Sequence, residues 1–252
     1  MRFLLLILLI FPLSAGAETV VLGLSRDRIN ITANFDGSEI LVFGAVKREV
    51  PISDEEPLEV IVTVAGPSTP VVVRRKDKRY GIWVNNAAVE VDAAPSFYAV
   101  ATSGPLEDVL LRVEDLRHKI TTTRAIRSVG APDNIRDSSK FTDALIRVRQ
   151  QNGLYQLLEG VVAFDQQTLF NTSIRLPANL TEGGYTTRIF LTRGGAVVSD
   201  YEATIFVGKV GLERWLYMLS RSQPMVYGIM SITIAVLAGW GASAAFRLLR
   251  NS

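Results

Sequence analysis

A mainly β fold, with a short helical insert and one C-terminal transmembrane helix, is predicted by three patterns in the sequence. Short runs of alternating apolar and polar residues recur between turn residues over 18–102 and again over 153–208. Apolar residues recur at three- and four-residue spacing over 103–152, which is typical of helices. Residues 225–246 carry no charged side chain. As a helix that run would be about 33 Å long, enough to cross the roughly 30 Å hydrocarbon core of a bilayer.

The first residues have the composition of an export signal. Arg2 precedes an apolar run over 3–13, and Ala15-Gly16-Ala17 supplies the small residues of a signal peptidase site. The pattern predicts a signal peptide over 1–17, cleaved before Glu18, with an uncleaved anchor as the alternative.

Export of the following residues fixes the expected topology. The span, predicted over 224–246, then stops transfer, and Arg247 and Arg250 fall on the cytoplasmic side, as the positive-inside tendency expects. The expected location is a bacterial inner membrane, with the bulk of the chain in the periplasm and a cytoplasmic tail over 247–252.

Residues 18–102 predict an antiparallel β-sandwich of immunoglobulin-like type. Asp36-Gly37 is a strong turn signal and Gly66-Pro67 is a breaker pair. About seven short strands in so short a stretch are typical of such a sandwich. The predicted strands cover 19–24, 28–35, 39–46, 58–65, 71–75, 79–84 and 97–102.

A run of cations separates two of these strands. Every residue of 74–79 except Asp77 is basic, and an aromatic residue follows shortly after. Because guanidinium groups suit phosphate, sulfate and carboxylate, the run predicts an anion, lipid-headgroup or partner contact. The alternative is a solvated hairpin tip that protects a sheet edge, with the aromatic residue in the core. The candidate contact residues are Arg74, Arg75, Lys76, Lys78, Arg79 and Trp83.

The insert over 103–152 predicts two helices packed on the sandwich. The first runs from Leu106 to Ile120, and the second contains the apolar positions of 141–148. Ser138 or Ser139 could cap the second helix, and Asn152-Gly153 could end it. His118, the only histidine, has no Ser or Cys partner at a recognisable spacing and is expected to be an ordinary surface residue.

Residues 153–208 predict four further strands, over 154–164, 169–176, 185–193 and 196–207. Leu180 to Tyr185 is comparable to a tyrosine corner, in which a tyrosine entering a strand bonds to the backbone a few residues upstream. This stretch forms either a second β-rich domain or the completion of a sheet with the first stretch, and both alternatives remain open.

The last part of the chain predicts an amphipathic juxtamembrane helix over 209–223, followed by the span. Trp215 and Tyr217 suit the membrane interface, and Gln223-Pro224 marks the joint. Small residues four apart in the span form a face through which the helix could dock on a second copy or on another membrane protein, with chance as the alternative. That face consists of Ser231, Ala235, Gly239 and Ser243.

Composition and motifs argue against several function classes. The chain has no cysteine, which excludes disulfides, thiolate metal sites and cysteine nucleophiles. A net charge of +2 is too small to indicate nucleic-acid binding. The sequence has no nucleophile elbow, metal-ligand cluster or phosphate-cradling glycine loop. We therefore expect a protein without catalytic activity and without a cofactor.

Short motifs along nearly the whole chain carry a family resemblance. They are Val21-Leu22-Gly23-Leu24-Ser25, Val42-Phe43-Gly44-Ala45, Val64-Ala65-Gly66-Pro67, Val73-Arg74-Arg75-Lys76, Gly81-Ile82-Trp83-Val84-Asn85, Pro95-Ser96-Phe97-Tyr98-Ala99-Val100, Gly153-Leu154-Tyr155, Leu169-Phe170, Leu176-Pro177-Ala178, Gly184-Tyr185, Lys209-Val210-Gly211-Leu212-Glu213-Arg214 and Tyr227-Gly228. With these motifs the chain resembles an alphaproteobacterial transmembrane protein family of uncharacterised function, with a signal peptide and a single C-terminal span. The resemblance implies a membrane-anchored envelope protein. The association of members with a sulfite-exporter-type permease implies an accessory role.

Overall fold

The computed structural model describes residues 19–24, 28–31, 37–47, 57–128, 137–165, 168–209 and 212–250. The predicted signal peptide lies outside the described residues. In chain order the elements are β1 (Thr19–Leu24), β2 (Arg28–Ile31), β3 (Ser38–Lys47), β4 (Leu58–Ala65), β5 (Ser68–Arg79), β6 (Ile82–Pro95), β7 (Tyr98–Thr102), α1 (Leu106–Val109), α2 (Arg112–His118), α3 (Thr122–Ala125), α4 (Ser138–Gln151), β8 (Tyr155–Leu158), β9 (Ala163–Asp165), β10 (Leu169–Leu176), β11 (Gly183–Arg193), β12 (Ala196–Lys209), α5 (Leu212–Ser222) and α6 (Pro224–Arg250). The prediction of a mainly β chain is confirmed.

Two sheets share one hydrophobic core. A four-stranded sheet has the order β1-β3-β10-β9, and a six-stranded sheet has the order β2-β12-β11-β4-β7-β8. Strands β3 and β10 alternate buried and exposed residues, so each turns one apolar face inward. The inward side chains form a single buried cluster with those of the larger sheet, including Ile40 and Ile174 from the first sheet and Val62, Ile189 and Ile205 from the second.

The two β stretches of the sequence pair with one another. Strand β10 pairs with β3 in the smaller sheet, and β11 pairs with β4 in the larger one. Residues 18–102 and 153–208 therefore contribute to common sheets rather than to two separate units. The strand pairing therefore agrees with the second alternative, in which residues 153–208 complete a sheet with the first stretch.

The other face of the larger sheet is covered by the helical insert. Val100 and Phe190 on this face are buried with Ile120, Ile126 and Leu145 from the insert. The predicted first helix is broken into α1 and α2, and α3 is a further short helix beyond the predicted end at Ile120. The break occurs because Leu110 is extended and the Leu111 amide donates 2.8 Å to the Gly195 carbonyl, so the chain pairs briefly with the β11–β12 turn.

Two further predictions are corrected in detail, and a third is confirmed. The predicted strand over 154–164 is two strands, β8 and β9, because Gly160 turns the chain with φ of +68°. Asp137, rather than Ser138 or Ser139, precedes α4, and its side chain makes no cap hydrogen bond. The helix ends at Asn152-Gly153 as predicted, with Gly153 at φ +69°.

The tyrosine corner is present. The Tyr185 hydroxyl donates to the Thr181 carbonyl over 2.9 Å, and the tyrosine ring is buried in the core shared by the two sheets. This bond fixes the turn that leads into β11.

The C-terminal helices follow β12. Helix α5 ends at Ser222, and α6 begins at Pro224, which lacks the amide that would continue the ladder of α5. Residues Pro224–Ser243 are long and apolar enough to cross a membrane, and none of that segment is buried against the rest of the protein. The predicted transmembrane helix is therefore matched by one candidate span.

Candidate functional site: a basic β arm and its cleft

Strands β5 and β6 form a two-stranded arm that belongs to neither large sheet. Near its base, Val91 and Ala94 are buried beside the insert. From Lys76 to Ile82 every residue is exposed. The arm is therefore anchored at one end, and its far end projects into solvent.

The basic run lies along β5 and not in the turn. Lys78 faces Trp83 across the ladder, Lys76 faces Asn85, and Arg79 faces Ile82. Because directly opposed residues of an antiparallel pair share a face, Lys76 and Lys78 lie on the same face as Trp83. Arg75, Asp77 and Arg79 lie on the other face. The predicted strand over 79–84 is corrected, since β6 begins only at Ile82.

The tip of the arm is a two-residue turn made by Tyr80 and Gly81. Their φ values are +51° and +84°, the pattern of a type I′ turn, which normally favours Asn-Gly. Tyr80 is fully exposed, and Trp83 is 68% exposed. The expectation that Trp83 is a core residue is wrong, because β6 has left the body of the protein at this point.

Helix α4 holds the arm near its middle. Arg75 Nη1 donates to Asp137 Oδ2 over 2.8 Å, and the guanidinium carbon lies 5.3 Å from the centre of the Phe141 ring. Lys140 Nζ is 3.7 Å from the same carboxylate. The hydrogen bond from Arg75, followed by the charges of both cations, lowers the pKa of Asp137. Sequence spacing could not show this contact, since its partners lie far apart in the chain.

A cleft of about 510 Å³ opens between β5 and α4. Its basic side chains are Arg74 and Arg75 from the arm and Lys140 and Arg147 from the helix, and Asp143 is its acidic one. In the described part of the chain, no ion pair engages Arg74 or Arg147. The cleft therefore offers two guanidinium groups that have no ion pair among the described residues, and its apolar lining consists of Val73, Phe141 and Ala144.

Two of the cleft cations were missed from the sequence. Lys140 and Arg147 lie seven apart on α4, a spacing that places both on one helix face, and that periodicity was the available signal. Lys76, Lys78, Arg79 and Trp83 do not line the cleft, so the structure divides the predicted cluster into a cleft part and a tip part.

The base of the arm is fixed by a buried polar contact. The Tyr155 hydroxyl donates to the Pro95 carbonyl over 2.8 Å, and Arg149 donates to the same oxygen. Burial, partly offset by the charge of Arg149, raises the pKa of Tyr155 to about 12.

The four residues of the small-residue face of α6 are exposed. Ser231 Oγ donates to the Tyr227 carbonyl over 2.8 Å, so its hydroxyl is satisfied within the helix. Nothing lies within 4 Å of the position that a Cβ of Gly239 would take. The face of Ser231, Ala235, Gly239 and Ser243 is therefore open along its length.

His118 lies between α2 and the larger sheet. Its Nε2 is 3.4 Å from Glu114 Oε2, and its ring meets Phe190 edge-on at 5.5 Å. It is half-buried rather than a surface residue, which corrects the prediction. Among the described residues, no group of three or more acidic or histidine side chains is arranged to hold a metal ion.

A family model covers nearly the whole described chain. Residues 19–248 match the family described as "Putative transmembrane protein (Alph_Pro_TM)". The chain belongs to this family. The resemblance drawn from the sequence motifs is thereby confirmed. No curated protein matches the chain. Family membership and the candidate span together support a membrane protein, and both the arm and the cleft fall within the matched residues.

Proposed function

We propose that this chain is a membrane-anchored accessory protein without catalytic activity. Its β-rich part would be an immunoglobulin-like sandwich in the bacterial periplasm, exported by the signal at 1–17, with the end of α6 on the cytoplasmic side of the inner membrane. The observation that carries the proposal is the combination of a candidate span with a body whose basic arm projects unburied. Two sheets around one core and the Tyr185 corner favour the immunoglobulin-like assignment.

The partner would be an inner-membrane transporter, with a sulfite-exporter-type permease as the first candidate and a homodimer as the alternative. The small-residue face supports docking inside the bilayer, because small side chains allow helix backbones to approach closely. Successive positions four apart rotate by about 40° around the helix, so the row is inclined to the axis and suits a crossing contact.

Photo-crosslinking in native membranes tests this proposal. A crosslinker at Gly239 should capture one defined protein, while the same crosslinker at Leu237, which is also exposed but lies on the opposite side of the helix from the small-residue face, should capture much less. Capture of a second copy would indicate the homodimer. Equal labelling of lipid alone from both positions would contradict docking through this face.

A second candidate function is binding of a small anion in the cleft. The specific observation is that Arg74 and Arg147, from different elements, face one cavity of about 510 Å³. Guanidinium groups bind sulfate, phosphate and carboxylate through paired N–H donors. The ligand class is therefore a small anion.

Thermal stability of the full chain in detergent tests this second function, because a ligand that binds only the native state must stabilise it. Sulfite, sulfate, phosphate and short carboxylates are the probes. An upward shift of the unfolding midpoint should disappear in Arg74→Gln/Arg147→Gln and persist in Arg124→Gln, which removes an exposed cation outside the cleft. Identical shifts of the unfolding midpoint in both variants would mean that the anion does not act through the cleft arginines.

A further inference from the structure

The far end of the arm exposes large side chains that packing does not explain. Tyr80 is fully exposed, Ile82 is 65% exposed and Trp83 is 68% exposed. The backbone of Tyr80 is in the left-handed region of φ/ψ space, where a bulky residue is disfavoured and Asn or Gly is favoured. An aromatic side chain is thus kept at the tip against the local backbone preference. Strain of this kind is commonly found where a side chain has a function.

Cations stand directly behind these apolar side chains. Lys76 and Lys78 share the face of Trp83. On the opposite face Arg79 lies beside Ile82, and its guanidinium donates 2.9 Å to Asn86 Oδ1, which keeps it along the ribbon. The arm therefore ends in an aromatic and apolar cap, followed by two lysines on the Trp83 face and, on the other face, by Arg79, whose Nε lies 4.0 Å from Asp77 Oδ2.

This order of side chains matches the chemistry of a bilayer surface. Trp and Tyr favour the interfacial region, while Lys and Arg just above it contact anionic headgroups. A protein partner fits less well, because lysine is depleted in protein interfaces. The candidate span also tethers the chain to a bilayer, which raises the effective concentration of headgroups near the arm.

We propose that the tip of the β5–β6 arm, residues Tyr80 to Trp83, inserts into the interface of a bilayer that carries anionic headgroups. The inserted tip is a second membrane contact, additional to α6. This contact requires neither a transporter partner nor a ligand in the cleft, so it can be tested independently of the functions proposed above.

The absence of cysteine makes a single-label experiment possible. Asn85→Cys, an exposed site close to the tip, is labelled with a polarity-sensitive fluorophore in the full chain reconstituted in nanodiscs. Glu107→Cys in α1, equally exposed, is the matched control. The discs contain either phosphatidylcholine alone or phosphatidylcholine with phosphatidylglycerol. Each sample is measured again after addition of anionic vesicles, so that a second bilayer is also offered.

The expected result is a blue shift of the label at residue 85 with anionic lipid and none at residue 107. Tyr80→Ser/Trp83→Ser should abolish the shift by removing the cap. Lys76→Gln/Lys78→Gln should weaken docking roughly 30-fold, from the usual contribution of a cation near an anionic surface. A shift that appears only after vesicle addition still supports the proposal and identifies an opposing bilayer as the surface.

Two results would overturn the proposal. One is an emission maximum at residue 85 that is the same in zwitterionic discs, anionic discs and added vesicles. The other is a shift that requires a membrane protein extract, which would assign the tip to a protein partner. Unchanged thermal midpoints of both double variants serve as the folding control.

Discussion

At the residue scale, three tyrosines carry much of the polar bonding inside the core. The Tyr98 hydroxyl donates to the Ile120 carbonyl. The Tyr155 hydroxyl donates to the Pro95 carbonyl, and the Tyr185 hydroxyl donates to the Thr181 carbonyl. The bond of Tyr98 joins β7 to the insert, that of Tyr155 joins β8 to the end of β6, and that of Tyr185 joins β11 to the preceding loop. The ring fills space while the hydroxyl satisfies a carbonyl that would otherwise be buried without a partner.

Replacing Tyr185 tests the corner. Tyr185→Phe keeps the ring and removes the bond to Thr181, so we expect a loss of about 1–2 kcal/mol in unfolding free energy. In a domain of this size that loss lowers the unfolding midpoint by about 2–8 °C. Tyr201→Phe, at an exposed position of β12, is the control and should change the midpoint by less than about 2 °C. Equal effects of the two substitutions would mean that the corner bond contributes nothing.

The raised pKa of Tyr155 predicts a pH dependence. The unfolded phenol loses its proton near pH 10, whereas the folded phenol keeps it until about pH 12. Below pH 10 the contribution of Tyr155 to stability is complete, and it is lost as the pH rises through 12. The stability difference between the wild type and Tyr155→Phe should therefore shrink by up to about 2–3 kcal/mol over that interval. Denaturation series at several pH values measure it, and a constant difference would contradict the assignment.

At the element scale, the arm has an internal conflict at its turn. Tyr80→Asn places the favoured type I′ residue at φ +51°, and we expect it to stabilise the hairpin by about 1 kcal/mol. Gly81→Ala, at φ +84°, should destabilise it by a similar amount. Hydrogen exchange of the β5 and β6 amides measures both. If Tyr80→Asn instead accelerates exchange of these amides, the tyrosine side chain stabilises the arm. That result would contradict the view that Tyr80 is kept at the turn at a cost in stability.

Elements with strong local signals were predicted from the sequence, and elements set by distant contacts were not. Strands β4 and β10 were predicted to the residue, because alternation and flanking turn residues define both ends. The length of β6 was missed because Asn85 to Ala88 offers no apolar alternation and pairs only because β5 lies beside it. The break of the first helix at Leu110 depends on the carbonyl of Gly195 and leaves no local trace.

The candidate site follows the same division. The cationic residues of β5 are visible in the sequence as a run. Their separation into a cleft group and a tip group depends on where α4 crosses the arm, and Asp137 and Phe141 decide that crossing by holding Arg75. The run of charges in the sequence does not show which side chains of the folded protein each cation contacts.

At the scale of the whole molecule, the two β stretches are joined by their strand pairing. Val62 of β4 lies directly opposite Ile189 of β11, and both side chains are fully buried in the shared core. The pairing closes a long loop of chain, so neither stretch can complete its sheet alone. The described sheets should therefore unfold together, while α6 keeps its own environment in the membrane.

Truncation of either core residue tests this cooperativity. Val62→Ala and Ile189→Ala should each lower the unfolding free energy by about 2–4 kcal/mol, through lost burial and the cavity left behind. The two sites belong to one cooperative unit. Within each variant, hydrogen exchange of the slowest-exchanging amides should therefore accelerate by the same factor in all four strands β3, β4, β10 and β11. Leu41→Ala, on the exposed face of β3, is the control and should leave those amides unchanged. If Val62→Ala accelerated exchange only in residues before the insert and Ile189→Ala only in residues after it, the two stretches would be independent folding units despite their shared sheets.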